Sequence, residues 1–499
     1  MQLQLKRSQR PYLDTVVQDL RNQELTQEIR LSEGMPDIGR VLCAWGQPVL
    51  RGKEWRSDRV SFSGGLMLWV LYVPQEGGKE HWVEGWIPFQ MEWDLPRDCP
   101  DGRLRIRCLT RFVDARGISA RKLMVRAGIA VRAEAFVPNQ AETVTPEKIP
   151  EQLQMCIRRW PLRLQVEAGE THLDLEEQLN LPEADFRPEA VLCCRLDPAV
   201  TESRVVGNKL VFRGNGNLHL ICRSTQGKLR GFDFPMPFSQ FAELDRDYGP
   251  EAAGDLTLSP TALETEVDEA GRISVRCGMA AQYLLTDRIL LELGEDAYIP
   301  GREAQIHLED LELPVVLENR RENIYGEQSI SADGADLVDL QLIPEFPRQR
   351  RSGDEVELTM PGQVQALYYG PDGMLNAASS RWEGKLNLRS GDGTMLNANP
   401  LAAQQPRAHM SGNGIALSWE LPVELTTSGR QQMPMVTDVV PGQPIPKDPD
   451  RPSLILRRAG EQRLWDIARS ADTTEDAIRR ANNLTEEPTP EQILLIPVL

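Results

Sequence analysis

The chain lacks any run of about eighteen apolar residues, and its opening MQLQLKRSQRPYLD lacks the apolar core of a signal peptide. The sequence therefore predicts a cytosolic chain with no transmembrane segment. Histidine is scarce, and His81, His172, His219, His307 and His409 never pair at ligand spacing, which leaves zinc without support. Cys43, Cys99, Cys108, Cys156, Cys193, Cys194, Cys222 and Cys277 include no C-x-x-C pair. Because Cys43, Cys222 and Cys277 lie inside apolar strand-like runs, they read as reduced core thiols. Basic residues are outnumbered, 56 Lys and Arg against 74 Asp and Glu, so the net charge is −18. That balance excludes a general binder of nucleic acid or anionic membrane, which needs a basic surface.

Motifs of chemistry are lacking too. Gly214-Asn215-Gly216-Asn217 has no following Lys-Ser/Thr and reads as a hairpin turn rather than a phosphate loop. Asp333, Asp336 and Asp339 lack the glycine and distal glutamate of a calcium loop, so they read as a solvated acidic turn. The GDGTMLNANP run beside Ser390 has no histidine motif for nucleophilic catalysis. Trp82, Trp86 and Trp93 fall at strand spacing and read as core and rim residues. The expectation is a protein with no catalytic residue, no metal and no cofactor, and hence no enzyme.

What is present is strand signal. With 499 residues, 40% hydrophobic and 26% charged, the composition is that of a soluble globular chain that splits into several domains. Residues 11–23 carry Leu13, Val16, Val17 and Leu20, a short amphipathic helix or lead-in segment. From 25 to 137 β-branched and aromatic residues alternate between turns such as Glu76-Gly77-Gly78. In 123–136 Leu123, Val125, Ala127, Ile129, Val131, Ala133 and Ala135 take one face and Arg126, Arg132 and Glu134 the other, which predicts a half-buried antiparallel strand. LMLWVLYV at 66–73 is apolar on both faces and belongs mid-sheet.

The pattern repeats. Pro48 returns at Pro198 and Pro347, Phe62 at Phe212, and the IPF of 87–89 as the MPF of 236–238. Val125, Ala127 and Ile129 return as Val275, Cys277 and Met279, and more loosely as Leu417, Trp419 and Leu421, where Pro422 points to an edge strand. The sequence thus predicts a mainly β chain. A lead-in at 1–24 precedes tandem sandwich-like antiparallel domains at 25–138, 164–295 and 296–440. A linker with a short helix fills 139–163. The proline-rich stretch 441–452 should act as a semi-rigid spacer holding a small βααβ module, 453–499, away from the body.

In that module, short strands at 454–456 and 493–496 flank two helical patterns, Leu464, Ile467, Ala468 and Ala477, Ile478, Ala481, with Thr473 and Asp476 as a capping-type start. LWDIA at 464–468, TT-x-x-x-I at 473–478, ANNL at 481–484 and PEQILLIP resemble the LysM family. EIRLSEGMPDIGRVLCAWGQPVL, FSGGLMLWVLYVPQEGG and the WIPF of 86–89 resemble the SPOCS domain of spore-forming Firmicutes. Tandem SPOCS domains ending in one LysM module resemble the spore-coat morphogenetic family.

The resemblance implies a non-enzymatic sporulation factor in the mother cell, acting at the forespore surface in the spore coat. It implies docking through the LysM module onto the coat-scaffold ATPase of stage IV of sporulation, with other coat proteins as further partners. The alternative is binding of peptidoglycan N-acetylglucosamine. Either ligand would meet the groove residues Glu461, Gln462, Arg463, Leu464, Trp465, Asn482, Asn483, Leu484, Thr485, Glu491, Gln492 and Ile493. Where glycan-binding relatives read Gly-Asp-Thr-Leu and Pro-Gly-Gln, this chain has Glu461, Gln462, Arg463, Leu464 and Pro490, Glu491, Gln492. These bulkier groups obstruct a sugar and suit a protein interface, with Trp465 either its anchor or a core residue.

Overall fold

The computed structural model describes residues 3–182, 185–332, 336–401, 406–411, 414–446 and 452–498. Strands β1 (Gln4–Arg30), β2 (Ile38–Trp55), β3 (Arg59–Pro74), β4 (His81–Asp94), β5 (Arg103–Ser119) and β6 (Lys122–Lys148) form two sheets, β1-β6-β5 and β2-β3-β4. All their pairings are antiparallel. The doubly apolar 66–73 run lies in β3, between its two neighbours, as its pattern requires.

The next sheet pair is built from β7 (Gln154–Leu179), β8 (Pro188–Ser224), β9 (Leu229–Tyr248), β10 (Ala253–Val267) and β11 (Ile273–Tyr298), in the orders β10-β11-β7 and β8-β9. A third pair follows. It comprises β12 (Arg302–Ser331), β13 (Asp336–Pro344), β14 (Arg348–Ser352), β15 (Glu355–Tyr369), β16 (Leu375–Arg389), β17 (Met395–Pro400), β18 (Arg407–Ser411) and β19 (Gly414–Pro444). Here β19 lies between β12 and the short β17 and β18, while β15 pairs with β13, β14 and β16. In each pair the long last strand, β6, β11 or β19, occupies the middle of its sheet.

Three hairpin-like ribbons extend from these sheets. Beyond Phe136 β6 pairs only with β1, beyond Thr286 β11 pairs only with β7, and beyond Ser428 β19 pairs only with β12. An isolated ribbon is marginal in water. These three pack together instead, burying Val144, Leu164, Leu293, Leu313 and Met433 in one shared cluster that makes a stalk. At its tip Leu153, Ala297, Ile299 and Val436 close the end. The sheets also merge: Trp45 and Trp69 from β2 and β3 share a cluster with Leu192 and Phe212 of β8 and with Leu367 and Leu375 of the third pair.

Several expectations are corrected here. Residues 11–23 are not helical; they lie in β1, with Leu13 and Val17 buried and a register shift at 15–17. Their helix-like spacing yields to twenty-six paired positions along β6, a long-range gain that local periodicity does not contain. Residues 139–163 hold no helix either. β6 runs on to Lys148, a turn closed by Leu153 N–H to Pro150 O intervenes, and β7 starts at Gln154.

Gly214-Asn215-Gly216-Asn217 is a mid-strand segment of β8, paired with 235–238, rather than a hairpin turn. A Cβ at Gly214 would stand 2.1 Å from the Ala199 carbonyl, so glycine here permits a close backbone approach. Pro422 sits in the central strand β19, not at an edge. Its carbonyl accepts from Leu401 N–H, so its missing N–H faces the break between β17 and β18 and costs no ladder bond.

The C-terminal module comprises β20 (Leu454–Arg458), α1 (Leu464–Ser470), α2 (Glu475–Asn482) and β21 (Ile493–Pro497), with β20 and β21 antiparallel. Ile467, Ala468, Ile478, Leu494 and Ile496 form its core. The α2 cap is Thr474, one residue later than expected, and its Oγ1 accepts from Ala477 N–H at 3.0 Å. The module is not held off the body. Residues 441–444 finish β19, 447–451 of the expected spacer lie outside the described residues, and α1 rests on the stalk tip.

Candidate functional site

Two places concentrate polar chemistry: the seat of the module on the stalk, and the joints where the three sheet pairs meet. The seat is built by the end of β11. Trp465, buried at 5% exposure, donates its indole N–H to Asp296 Oδ2 at 3.1 Å. Its ring meets Tyr298 edge to face, centroids 4.9 Å apart. The Tyr298 hydroxyl donates to the Thr473 carbonyl at 2.8 Å, and burial raises its pKa. Gly301 N–H donates to Asp472 Oδ1 at 2.8 Å, while Arg469 pairs with Asp296 and Arg463 with Glu295 at 3.4 Å. The exposed ion pairs contribute little beside the desolvated aromatic pair.

The expected groove residues therefore divide. Leu464 and Trp465 are buried, the first in the module core and the second against the stalk. Asn482 bonds both the N–H and the carbonyl of Leu495, which ties α2 to β21. Asn483 is the left-handed C-cap of α2 at φ 52, and Leu484 is half-buried. Ala459 N–H donates to Gln492 O and Gly460 N–H to Pro490 O, so the backbones of the two loops are bonded to each other. Arg457 bonds Gln462 and Arg458 pairs with Glu491 at 3.2 Å. Glu461, Gln462, Arg463, Thr485, Glu491 and Ile493 remain exposed. The outward sheet face carries Leu454, Leu456 and Ile493, the last two at 69% and 64% exposure.

The joints were not anticipated. Arg132 and Glu134, expected on a solvated face of β6, are buried. Arg105 bonds Glu134 at 2.7 Å within the first sheet pair and Asp255 at 2.6 Å in the second. Arg132 donates to the Ala398 carbonyl at 2.7 Å and to Asn399 at 2.5 Å in the third, and Asn397 donates to Glu134 at 2.9 Å. Gln282 brackets Ile106, accepting from its N–H and donating to its carbonyl, each at 2.8 Å. Arg132, Gln282 and Glu424 stand on the three central strands, three residues beyond Ile129, Met279 and Leu421.

Glu424 differs from its two counterparts. It faces a cavity of about 90 Å³ lined by Arg107, Ser203, Asp255, Thr257 and Arg321. Burial and then the Asp255 charge raise its pKa to about 7, against the lowering by Arg107, Arg105 and Arg321. A carboxyl held above its ordinary value favours folding while protonated, so stability falls as pH rises from about 4.5 through 7. Glu424→Gln is expected to raise stability at pH 8 by on the order of 2 kcal/mol and to change little at pH 4.5. Urea midpoints at the two pH values check this.

A second buried network joins the second and third pairs. His219 has Nδ1 2.6 Å from Asp233 and Nε2 2.8 Å from Asp339, and Arg195 reaches Gln341 at 2.8 Å and Asp339 at 3.5 Å. Asp339 is thus no part of a solvated turn: it is buried, and His219 and Arg195 draw its pKa well down against the effect of burial. Asp333 lies outside the described residues. The eight cysteines are free thiols, with Cys43, Cys99, Cys193, Cys194, Cys222 and Cys277 buried. Trp93 is core and Trp86 half-exposed under the Arg51 guanidinium, in line with the core-and-rim expectation.

No family model matches the chain, and no curated protein or solved structure matches it. No helix of the described residues is long and apolar enough to cross a membrane.

Proposed function

We propose that the chain is a non-enzymatic adaptor of the SPOCS-plus-LysM kind, working in the mother-cell cytoplasm in coat assembly at the forespore surface. In this reading the three sheet pairs are copies of one unit, and each takes its long first strand with it. The spacing of the strands supports that division: β1 and β7 start 150 residues apart, β5 and β10 also 150, and β7 and β12 148. The βααβ order of the last forty-five described residues supports the LysM assignment.

The observation that carries the adaptor reading is the use of Trp465. Its ring is spent on Asp296 and Tyr298 of the same chain, so the surface left for a partner is the outward face of β20 and β21. An exposed apolar cluster rimmed by Arg457, Arg458 and Glu491 suits a protein more than a sugar, which binds through backbone groups of open loops. The partner on this reading is the stage IV coat-scaffold ATPase.

Deleting 453–499 tests it. The truncated body is expected to keep its cooperative melting and to lose recruitment to the forespore surface, as seen by fluorescence of a tagged chain. Persistent forespore localisation of a folded truncation would overturn the reading, and so would submillimolar binding of the full chain to N-acetylglucosamine oligomers.

A further inference from the structure

Where the three sheet pairs converge, strands from all of them enclose an open cavity of about 230 Å³. Its wall takes 46–50 from β2, 195–198 from β8 and 340–344 from β13, with 106–110 of β5 crossing beneath. A space of this size holds a fragment-sized molecule, and it combines apolar surface with a few converging polar groups, the usual make-up of a ligand pocket.

The polar groups on the wall are unequally satisfied. One Arg195 nitrogen reaches Gln341 at 2.8 Å and Asp339 at 3.5 Å, and Arg107 donates to the Pro400 carbonyl. Gln47 accepts from Leu196 N–H at 3.1 Å, and Thr110 donates to the Gly46 carbonyl at 3.0 Å. The Asp197 carboxylate is different. Among the described residues it has no hydrogen bond or ion pair; only its backbone carbonyl is used, by Asn217. Asp233, the second carboxylate on the wall, receives His219 at one oxygen, and both carboxylates are exposed to the cavity.

We propose that this cavity binds a small organic cation, an alkyl amine or guanidine, with Asp197 as its counter-ion. The second carboxylate, Asp233, is positioned by the His219 and Asp339 chain, and Phe62, Phe89 and Leu342 supply apolar surface for the alkyl part. An anion placed against Asp197 is disfavoured, because that carboxylate has no hydrogen bond or ion pair among the described residues and would repel it. A metal ion is disfavoured as well: no group of three or more His, Cys, Asp or Glu among the described residues is arranged to hold one. Burial raises the Asp197 pKa against the lowering by the nearby Arg195 and His219 charges, and an ammonium beside it would act in the same direction as those two. The inference stands apart from the adaptor reading, since no residue of the terminal module lines the cavity.

The full chain tests it, with cadaverine and arginine methyl ester as cationic probes and 1,5-pentanediol as the neutral match at constant ionic strength. Saturable heat in calorimetric titration is expected for at least one cation, with a Kd below about 10 mM and a rise in melting temperature of about 2 °C near saturation. The diol should give neither. Asp197→Asn is nearly isosteric and should fold as well as the parent chain while weakening binding at least about tenfold, and Asp233→Asn should weaken it less. No saturable binding by either cation would overturn the proposal. Equal binding by a folded Asp197→Asn chain would overturn it too.

Discussion

Replacing Arg105 by methionine is expected to lower stability by about 3–5 kcal/mol, the cost of leaving buried carboxylates without their cation. Glu134 and Asp255 both depend on this guanidinium, and each belongs to a different sheet pair. The loss should be shared: Asp255→Asn in the same chain removes one of the two orphaned charges and should recover part of the stability, as a double-mutant cycle would show. Because the three sheet pairs share buried clusters, the urea transition of the variant should shift as one body. A variant that unfolds at the parent's midpoint would show that the joint is replaceable.

Much of the strand pattern was legible because β-branched alternation and turn residues are local signals. The apolar run at 66–73 reads correctly as an inner strand since both its faces are covered, and the two short helices of the module read correctly from Leu464, Ile467 and Ile478. Residues 11–23 misled for a physical reason. Leu13, Val16, Val17 and Leu20 sit at helical spacing only because a register shift at 15–17 moves the strand's buried face.

The joints were hidden because a charged residue on a strand's second face gives no sign of what will cover it. Arg132 and Glu134 look solvated in one unit and are buried by another. A signal did exist. Arg105 and Asp255 are opposite charges 150 residues apart, the same step that separates Pro48 from Pro198, and the structure brings this pair to 2.6 Å between two sheet pairs. For the module, the alternation of acid and aromatic in Asp296, Ala297 and Tyr298 marked the seat of Trp465, yet only the fold brings the two segments together.

The seat leads to the second large effect. Asp296→Ala combined with Tyr298→Ala removes the acceptor for the Trp465 indole, the face of its aromatic pair and the donor to Thr473. None of these changes touches the module's own core of Ile467, Ile478 and Leu494, so the module should stay folded while it leaves the stalk. The lost contacts amount to roughly 3 kcal/mol: one aromatic pair, one buried hydrogen bond and one part-buried one.

Hydrogen exchange at the Gly301 amide reads this directly, because that N–H is held by Asp472 across the seat. In the parent chain it should be protected. In the double variant its protection should fall about a hundredfold, the change that roughly 3 kcal/mol produces, while the Val498 amide, bonded within the module to Ser453, keeps its own. Unchanged protection at Gly301 in the double variant would contradict the account of a docked module.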